Sequence, residues 1–107
     1  MIAPGDRASI NTGIACEIPK GLCGKIYGKS GLALYGGVSI LGGVIDSDYR
    51  GNVCVLMYNI GNQPYYVKPG QKVAQMVIEK AFNACMLEVE SLSPSLRGQR
   101  GFGSTGP

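Results

Sequence analysis

Val53-Cys54-Val55-Leu56-Met57-Tyr58 is apolar on both of its faces. A run of that length and make-up reads as a central strand, covered on either side. Glycine and proline punctuate the chain around it. On the N-terminal side, Ala8 to Ile18 mixes β-branched and polar residues and stops at Pro19-Lys20-Gly21. Gly24 to Tyr27 is a short run, and Leu32 to Ile40 is apolar with Gly36-Gly37 inside it. On the C-terminal side, Tyr65 to Val67 precedes the turn Pro69-Gly70. Val73 to Ile78 reads as a second central strand and Met86 to Val89 as a last short one. Short strands separated by turn residues, with no window of sustained helical period, predict an all-β barrel or sandwich. Ser91 to Pro107 reads as an arm that leaves it.

Composition narrows the chemistry. The 107 residues suit one domain, and 45% hydrophobic against 16% charged is a globular balance. Seventeen glycines without a three-residue period point to tight turns rather than a fibrous repeat. The net charge of +3 is too small for a polyanion binder, which argues against nucleic acid as a partner, and suits a small anionic ligand at one site. There is no histidine. That removes a Ser-His-Asp triad and a His-liganded zinc site, and leaves carboxylate, lysine or tyrosine as the general base. Cys16, Cys23, Cys54 and Cys85 have no C-x-x-C spacing. They read as small buried hydrophobes in a reducing compartment. No apolar leader or membrane-length stretch appears, so a soluble intracellular protein is expected.

Two segments carry chemistry. Gly42-Gly43-Val44-Ile45-Asp46-Ser47-Asp48-Tyr49-Arg50-Gly51 reads as strand, polar turn, strand. Asp46 follows an apolar pair, so its carboxylate is expected to be partly withdrawn from water, a setting that makes a better base. Asp48 and Arg50 read as a turn residue and its ion partner; an ordinary Ser/Asp turn fits the segment too. The second segment is the tail from Arg97 to Gly106, with Arg97, Arg100, Phe102, Ser104 and Thr105 among four glycines. Arginine grips phosphate in bidentate fashion, an aromatic ring stacks on a base, and glycines let backbone N–H groups form an anion-binding nest. A disordered Gly/Ser tail has the same composition. Gly28-Lys29-Ser30 looks like the end of a phosphate loop. That motif needs a glycine five residues earlier, where Cys23 stands, and a following helix, where Leu32 to Ile40 reads as strand.

Taken in order, these segments resemble the motifs of the trimeric deoxyuridine triphosphatase (dUTPase) family. Lys29-Ser30-Gly31-Leu32-Ala33 is similar to its second motif, Gly43 to Gly51 matches its third, Gly70 to Met76 matches the fourth in part, and Arg97-Gly98 with Gly101 to Gly106 matches the fifth. Ala3-Pro4-Gly5 and Thr12-Gly13 also sit where the family has a Pro-Gly turn and a Thr-Gly pair. The resemblance spans essentially the whole chain. It implies a distorted jelly-roll barrel of the β-clip type over residues 1–90 and a flexible arm over 91–107 that closes over a neighbouring active site in a homotrimer.

The same resemblance implies a hydrolase, dUTP diphosphatase, that converts dUTP to dUMP and pyrophosphate, limiting uracil in DNA and supplying dUMP for dTTP synthesis. Asp46 matches the aspartate that activates the attacking water, and Tyr49 the ring under the deoxyribose. Backbone groups of Gly43, Val44 and Ile45 match the uracil-pairing edge. Lys29, Ser30 and Gly31 match the family's second motif, of which Ser30 and Gly31 contact phosphate from a neighbouring subunit. Gln75 matches a contact to the α-phosphate or to magnesium-bound water, and Arg97, Ser104 and Thr105 match γ-phosphate contacts. Phe102, with Gly103 beside it, matches the ring that closes over uracil. Mg²⁺ is implied as cofactor, held by phosphates and waters without direct protein ligands. The departures are Lys29 for arginine, Gln71-Lys72 for Asp-Arg, and Arg100 for glycine. The family's first motif would precede Met1, so the chain reads as a short form lacking it. That departure leaves room for a non-catalytic nucleotide-binding or signalling protein. A dCTP deaminase, which shares the fold, needs a pocket glutamate, for which Glu79, Glu88 and Glu90 are the candidates.

Overall fold

The structure is a computed structural model that describes residues 1–103 and Gly106. It is built from β1 (Arg7–Asn11), β2 (Leu22–Tyr27), a wide π-helical turn (Leu32–Gly36), β3 (Val38–Leu41), β4 (Val44–Ile45), β5 (Cys54–Asn59) and β6 (Gln75–Lys80). Two three-stranded antiparallel sheets result, ordered β1-β5-β3 and β4-β2-β6. The all-β expectation holds.

β5 is central, as its apolar run predicts. It pairs Arg7 with Tyr58 through Asn11 with Cys54 on one side, and Val38 with Asn59 through Leu41 with Leu56 on the other. Alternation sends Val55, Met57 and Asn59 inward and leaves Leu56 partly in solvent. The inner residues meet Ile2, Ile26, Val38 and Val53 to form the core. The outer apolar residues are not covered within the chain.

The second sheet differs from the expectation. Its central strand is β2, which begins at Leu22 and not at Gly24, while Val73 to Ile78 gives way to β6 at the edge. Val73 and Ala74 pack on the core, but Val77 and Ile78 are 42% and 50% exposed. An apolar run therefore does not mark a central strand here, because its second face has no cover within the chain.

Leu32 to Ile40 is not one strand. Ser30 and Gly31 start a helical turn, and Gly37 stops it with φ +68° and its N–H on the Leu32 carbonyl. Glycine suits that left-handed stop, and a side chain there would also strike the Gly61 backbone. A short apolar run carries too little periodicity to separate helix from strand. Ala8 to Ile18 yields only β1, since the chain turns at Thr12-Gly13, and Tyr65 to Val67 yields a single bridge from Tyr65 to Ile2. Met86 to Val89 forms no strand. Residues 81–100 are exposed throughout and run out from the sheets. The radius of gyration is accordingly 18.7 Å, against about 13 Å for a compact chain of this length. The cysteines are free; Cys16, Cys23 and Cys54 are half-buried and Cys85 exposed, so none is the fully buried hydrophobe expected.

Asn59 is the one buried polar side chain among the described residues. Its amide donates to the carbonyls of Ile2 (2.9 Å) and Gln63 (2.8 Å), and its oxygen accepts from the Gly61 N–H (2.9 Å). It thereby joins the N-terminal segment to the turn after β5. Asn59→Ala orphans the Gln63 carbonyl and the Gly61 N–H, while the Ile2 carbonyl keeps the Tyr65 N–H, and should lower stability by about 2–4 kcal/mol, read as a shift of the urea midpoint at fixed protein concentration. An unchanged midpoint would refute that role.

Candidate active site

The segment from Gly43 to Gly51 lies on an open sheet edge but is not the strand, turn and strand expected: β4 is followed by a turn, and the next strand, β5, belongs to the other sheet. β4 pairs with β2 on one side, Ile45 opposite Gly24 and Val44 opposite Lys25, and forms the sheet edge on the other among the described residues. The Gly43 carbonyl accepts from the Ile26 N–H at 2.8 Å. Antiparallel alternation then turns the N–H and C=O of Val44 toward the open edge. Gly43, at φ +103°, lies against Ile26 so closely that a Cβ would come within 3.0 Å of its carbonyl oxygen.

Asp46 follows at the end of β4 and opens a turn closed by the Tyr49 N–H on its carbonyl at 3.1 Å. Its side chain is exposed, not half-buried as the apolar neighbours suggest. The reason is local: β4 is two residues long, and Val44 is itself 58% exposed, so nothing in the chain covers the carboxylate. Asp46 lines a cleft of about 900 Å³ whose wall includes Glu17, Lys20, Cys23 and Arg50.

The turn is tied by residues that sequence reasoning assigned differently or missed. Arg50 does not pair with Asp48. Its Nη1 donates to the carbonyls of Ser47 (2.7 Å) and Tyr49 (3.3 Å), and its Nη2 meets Glu17 Oε1 at 3.1 Å. Glu17 lies 33 residues away in sequence, and no local pattern announces it. Tyr49 Oη donates to the Asn52 carbonyl at 2.7 Å, and the phenol lies over Gly51, where a Cβ would sit 2.5 Å from that oxygen. Gly51 thus provides the space that fixes the ring.

A second group lies elsewhere. Lys29 is half-buried, with Ser30 and Gly31 exposed at the start of the helical turn. Gln75 Nε2 donates to the Gly28 carbonyl at 3.2 Å, which places Gln75 beside them. Lys29 and Gln75 line another cleft, about 780 Å³, with the loop from Val67 to Ala74. Gln71, where the family prefers aspartate, uses both ends of its amide: it accepts from the Lys68 N–H (3.1 Å) and donates to Tyr65 Oη (2.8 Å). A carboxylate could accept but not donate there.

The third group is on the arm. Arg97, Phe102 and Gly103 are exposed, Phe102 with φ +52°. Ser104 and Thr105 lie outside the described residues. The two clefts share no residue, and neither includes one from 97–103. One chain therefore holds the expected site residues in three separate places. Among the described residues no group of three or more His, Cys, Asp or Glu side chains could hold a metal ion, and no helix is long and apolar enough to cross a membrane.

The dUTPase family matches residues 1–106 of this sequence. The chain belongs to the dUTPase family. It is 43% identical to the deoxyuridine 5'-triphosphate nucleotidohydrolase of Helicobacter hepaticus over 99% of this chain and 68% of that protein. It is 45% identical to that of Caldanaerobacter subterraneus over 98% of this chain and 72% of the relative. Among solved structures, the dUTPase of Staphylococcus bacteriophage 80alpha with dUpNHpp superposes with a TM-score of 0.85 at 26% identity, covering 99% of this chain and 79% of that one. The EIAV dUTPase superposes with a TM-score of 0.75 at 32% identity, covering 86% and 77%. The fold expected from the sequence motifs is thus the fold observed, and this chain spans between 68% and 79% of each of these four dUTPases.

Proposed function

We propose that the chain hydrolyses dUTP to dUMP and pyrophosphate as a homotrimer acting on a magnesium-bound triphosphate. The observation that carries this reading is β4 with its turn: an open backbone edge at Val44, a carboxylate at the strand's end, and a tyrosine ring fixed at the residue that closes the turn. Val44 offers one donor and one acceptor, the pattern that pairs with a uracil edge. A cytosine would leave a mispaired group at a cost of about 1–3 kcal/mol. The Tyr49 ring supports the deoxyribose and leaves no room for a 2′-hydroxyl. Asp46 accepts a proton from the attacking water, which strikes the bond between α and β phosphates.

The remaining residues come from other subunits. Lys29, Ser30, Gly31 and Gln75 of one neighbour and the arm of another, with Arg97 for the γ-phosphate and Phe102 for the base, complete the site. This assembly explains why one chain holds its site residues apart. It also explains the exposed Leu41, Leu56, Val77 and Ile78, apolar residues that a subunit interface would cover. In this account residues 1–90 act as the barrel domain and 91–107 as the arm that crosses to a neighbour. Mg²⁺ fits without a protein cage, because it keeps several waters and binds through substrate phosphates. The Gln75 amide, its nitrogen engaged by Gly28, presents its oxygen to such a water. When bound, the ion draws negative charge from the triphosphate oxygens.

The deaminase reading has no support in this geometry. Glu79 is held by Tyr27 Oη at 2.6 Å and faces Lys25 at 3.9 Å on β2, and that hydrogen bond raises the Tyr27 pKa above its ordinary value. Glu88 and Glu90 are exposed on the segment past β6. The non-catalytic reading is not favoured either, since the matched relatives carry the enzyme's name. The test is pyrophosphate release by the purified chain with Mg²⁺ and dUTP, with dCTP and UTP as controls. Release from dUTP alone is expected, and its absence would overturn the proposal.

A further inference from the structure

Arg100 stands where the dUTPase family usually has glycine, and its side chain does not reach outward. Its Nε donates to the Arg97 carbonyl at 3.2 Å and its Nη2 to the Leu96 carbonyl at 3.2 Å. Its own N–H also meets the Arg97 carbonyl, at 3.3 Å. Across the same turn the Gly98 N–H donates to Ser95 Oγ at 3.1 Å, with Gly98 at φ +62°. Residues 95–100 are thus folded on themselves: among the described residues the hydrogen bonds of this segment stay within it, and Ser95 to Arg100 are all exposed. We infer that Arg100 is a positioning residue that pre-folds the turn carrying Arg97, so that the arm docks with this turn already formed. The inference rests on the proposed dUTP hydrolysis and deepens it.

The physical argument is one of order. A glycine at position 100 would have no side chain to close the turn and more backbone freedom to lose on docking. The planar guanidinium presents several donors in a fixed fork, which matches two carbonyls one residue apart. A loop held in its bound form binds more tightly because less freedom is lost at the moment of contact. Arg97, whose guanidinium makes no hydrogen bond to the described residues, stays available for phosphate while Arg100 is spent on the backbone.

The experiment compares the full-length chain with R100G and R100K. Arg100→Gly should raise KM for dUTP by about three- to tenfold with kcat little changed, the pattern of lost pre-organisation. Arg100→Lys keeps the charge but loses the fork, and should behave as R100G. A phosphate contact by Arg100 predicts instead that R100K retains the wild-type KM, and that R100G shows a shallower dependence of KM on salt than the wild type. A higher kcat in R100G would mean that Arg100 obstructs closure. Any of these results overturns the inference, as does an unchanged KM. A readout independent of catalysis is the backbone order of residues 96–100 in the ligand-free protein by ¹⁵N relaxation. It should fall in both variants, and equal order in all three proteins would refute the clip. If the wild type fails to hydrolyse dUTP, the functional proposal falls while the relaxation data still decide the role of Arg100.

Discussion

Asp46→Asn should leave the assembly and dUTP binding intact and lower kcat by about 10²–10⁴-fold, the usual contribution of a general base. The structure makes this a clean substitution. The Asp46 side chain forms no ion pair or hydrogen bond among the described residues, and only its backbone carbonyl closes the turn. Asparagine keeps the size and loses the ability to accept a proton. The result is read as kcat from pyrophosphate release beside the dissociation constant for dUTP by calorimetry on the inactive variant. Asp48→Asn serves as the control. Asp48 is exposed in the same turn and is not the partner of Arg50, so its loss should change kcat little. Undiminished turnover in the Asp46 variant would remove it from the chemistry.

Removal of the arm after Ser95 should have an effect of similar size. It deletes Arg97, Phe102 and the Gly-rich end, while every strand of the two sheets lies before Ala81. The truncated chain should therefore give the same β-rich circular-dichroism spectrum and sedimentation behaviour. Its kcat/KM for dUTP should fall at least about 10²-fold, as expected when preorganised donors to a reacting phosphate are lost. Full activity would show the segment to be an ordinary tail.

How much of this was legible in the sequence depends on the kind of information each feature needs. The central place of β5 was legible because an uninterrupted run that is apolar on both faces carries its own signal. The place of β2 was not, since Leu22–Tyr27 is ordinary in composition and central only through its partners on both sides. β6 misled for a related reason: its second apolar face lacks a partner within one chain. The helical turn at Leu32–Gly36 was hidden because its apolar residues fit either period. In the candidate site, the contiguous motif put Asp46 and Tyr49 in one turn, as the structure does, but the exposure of Asp46 depends on what covers the edge of β4. The Glu17–Arg50 tie and the Arg100 clip are contacts whose partners no motif names.

The central claim is that the carboxylate and the arm of one working site come from different chains. Mixing tests it most directly. The Asp46→Asn protein and the protein truncated after Ser95 are each expected to be nearly inactive alone. Unfolded together in equal amounts and refolded, they are expected to form mixed trimers in which about a quarter of the sites join an intact Asp46 to an intact arm from a neighbour. Pyrophosphate release should then recover to roughly that fraction of the wild-type rate. Recovery of no activity, from mixtures shown to contain mixed trimers, would place both groups on one chain and contradict the account.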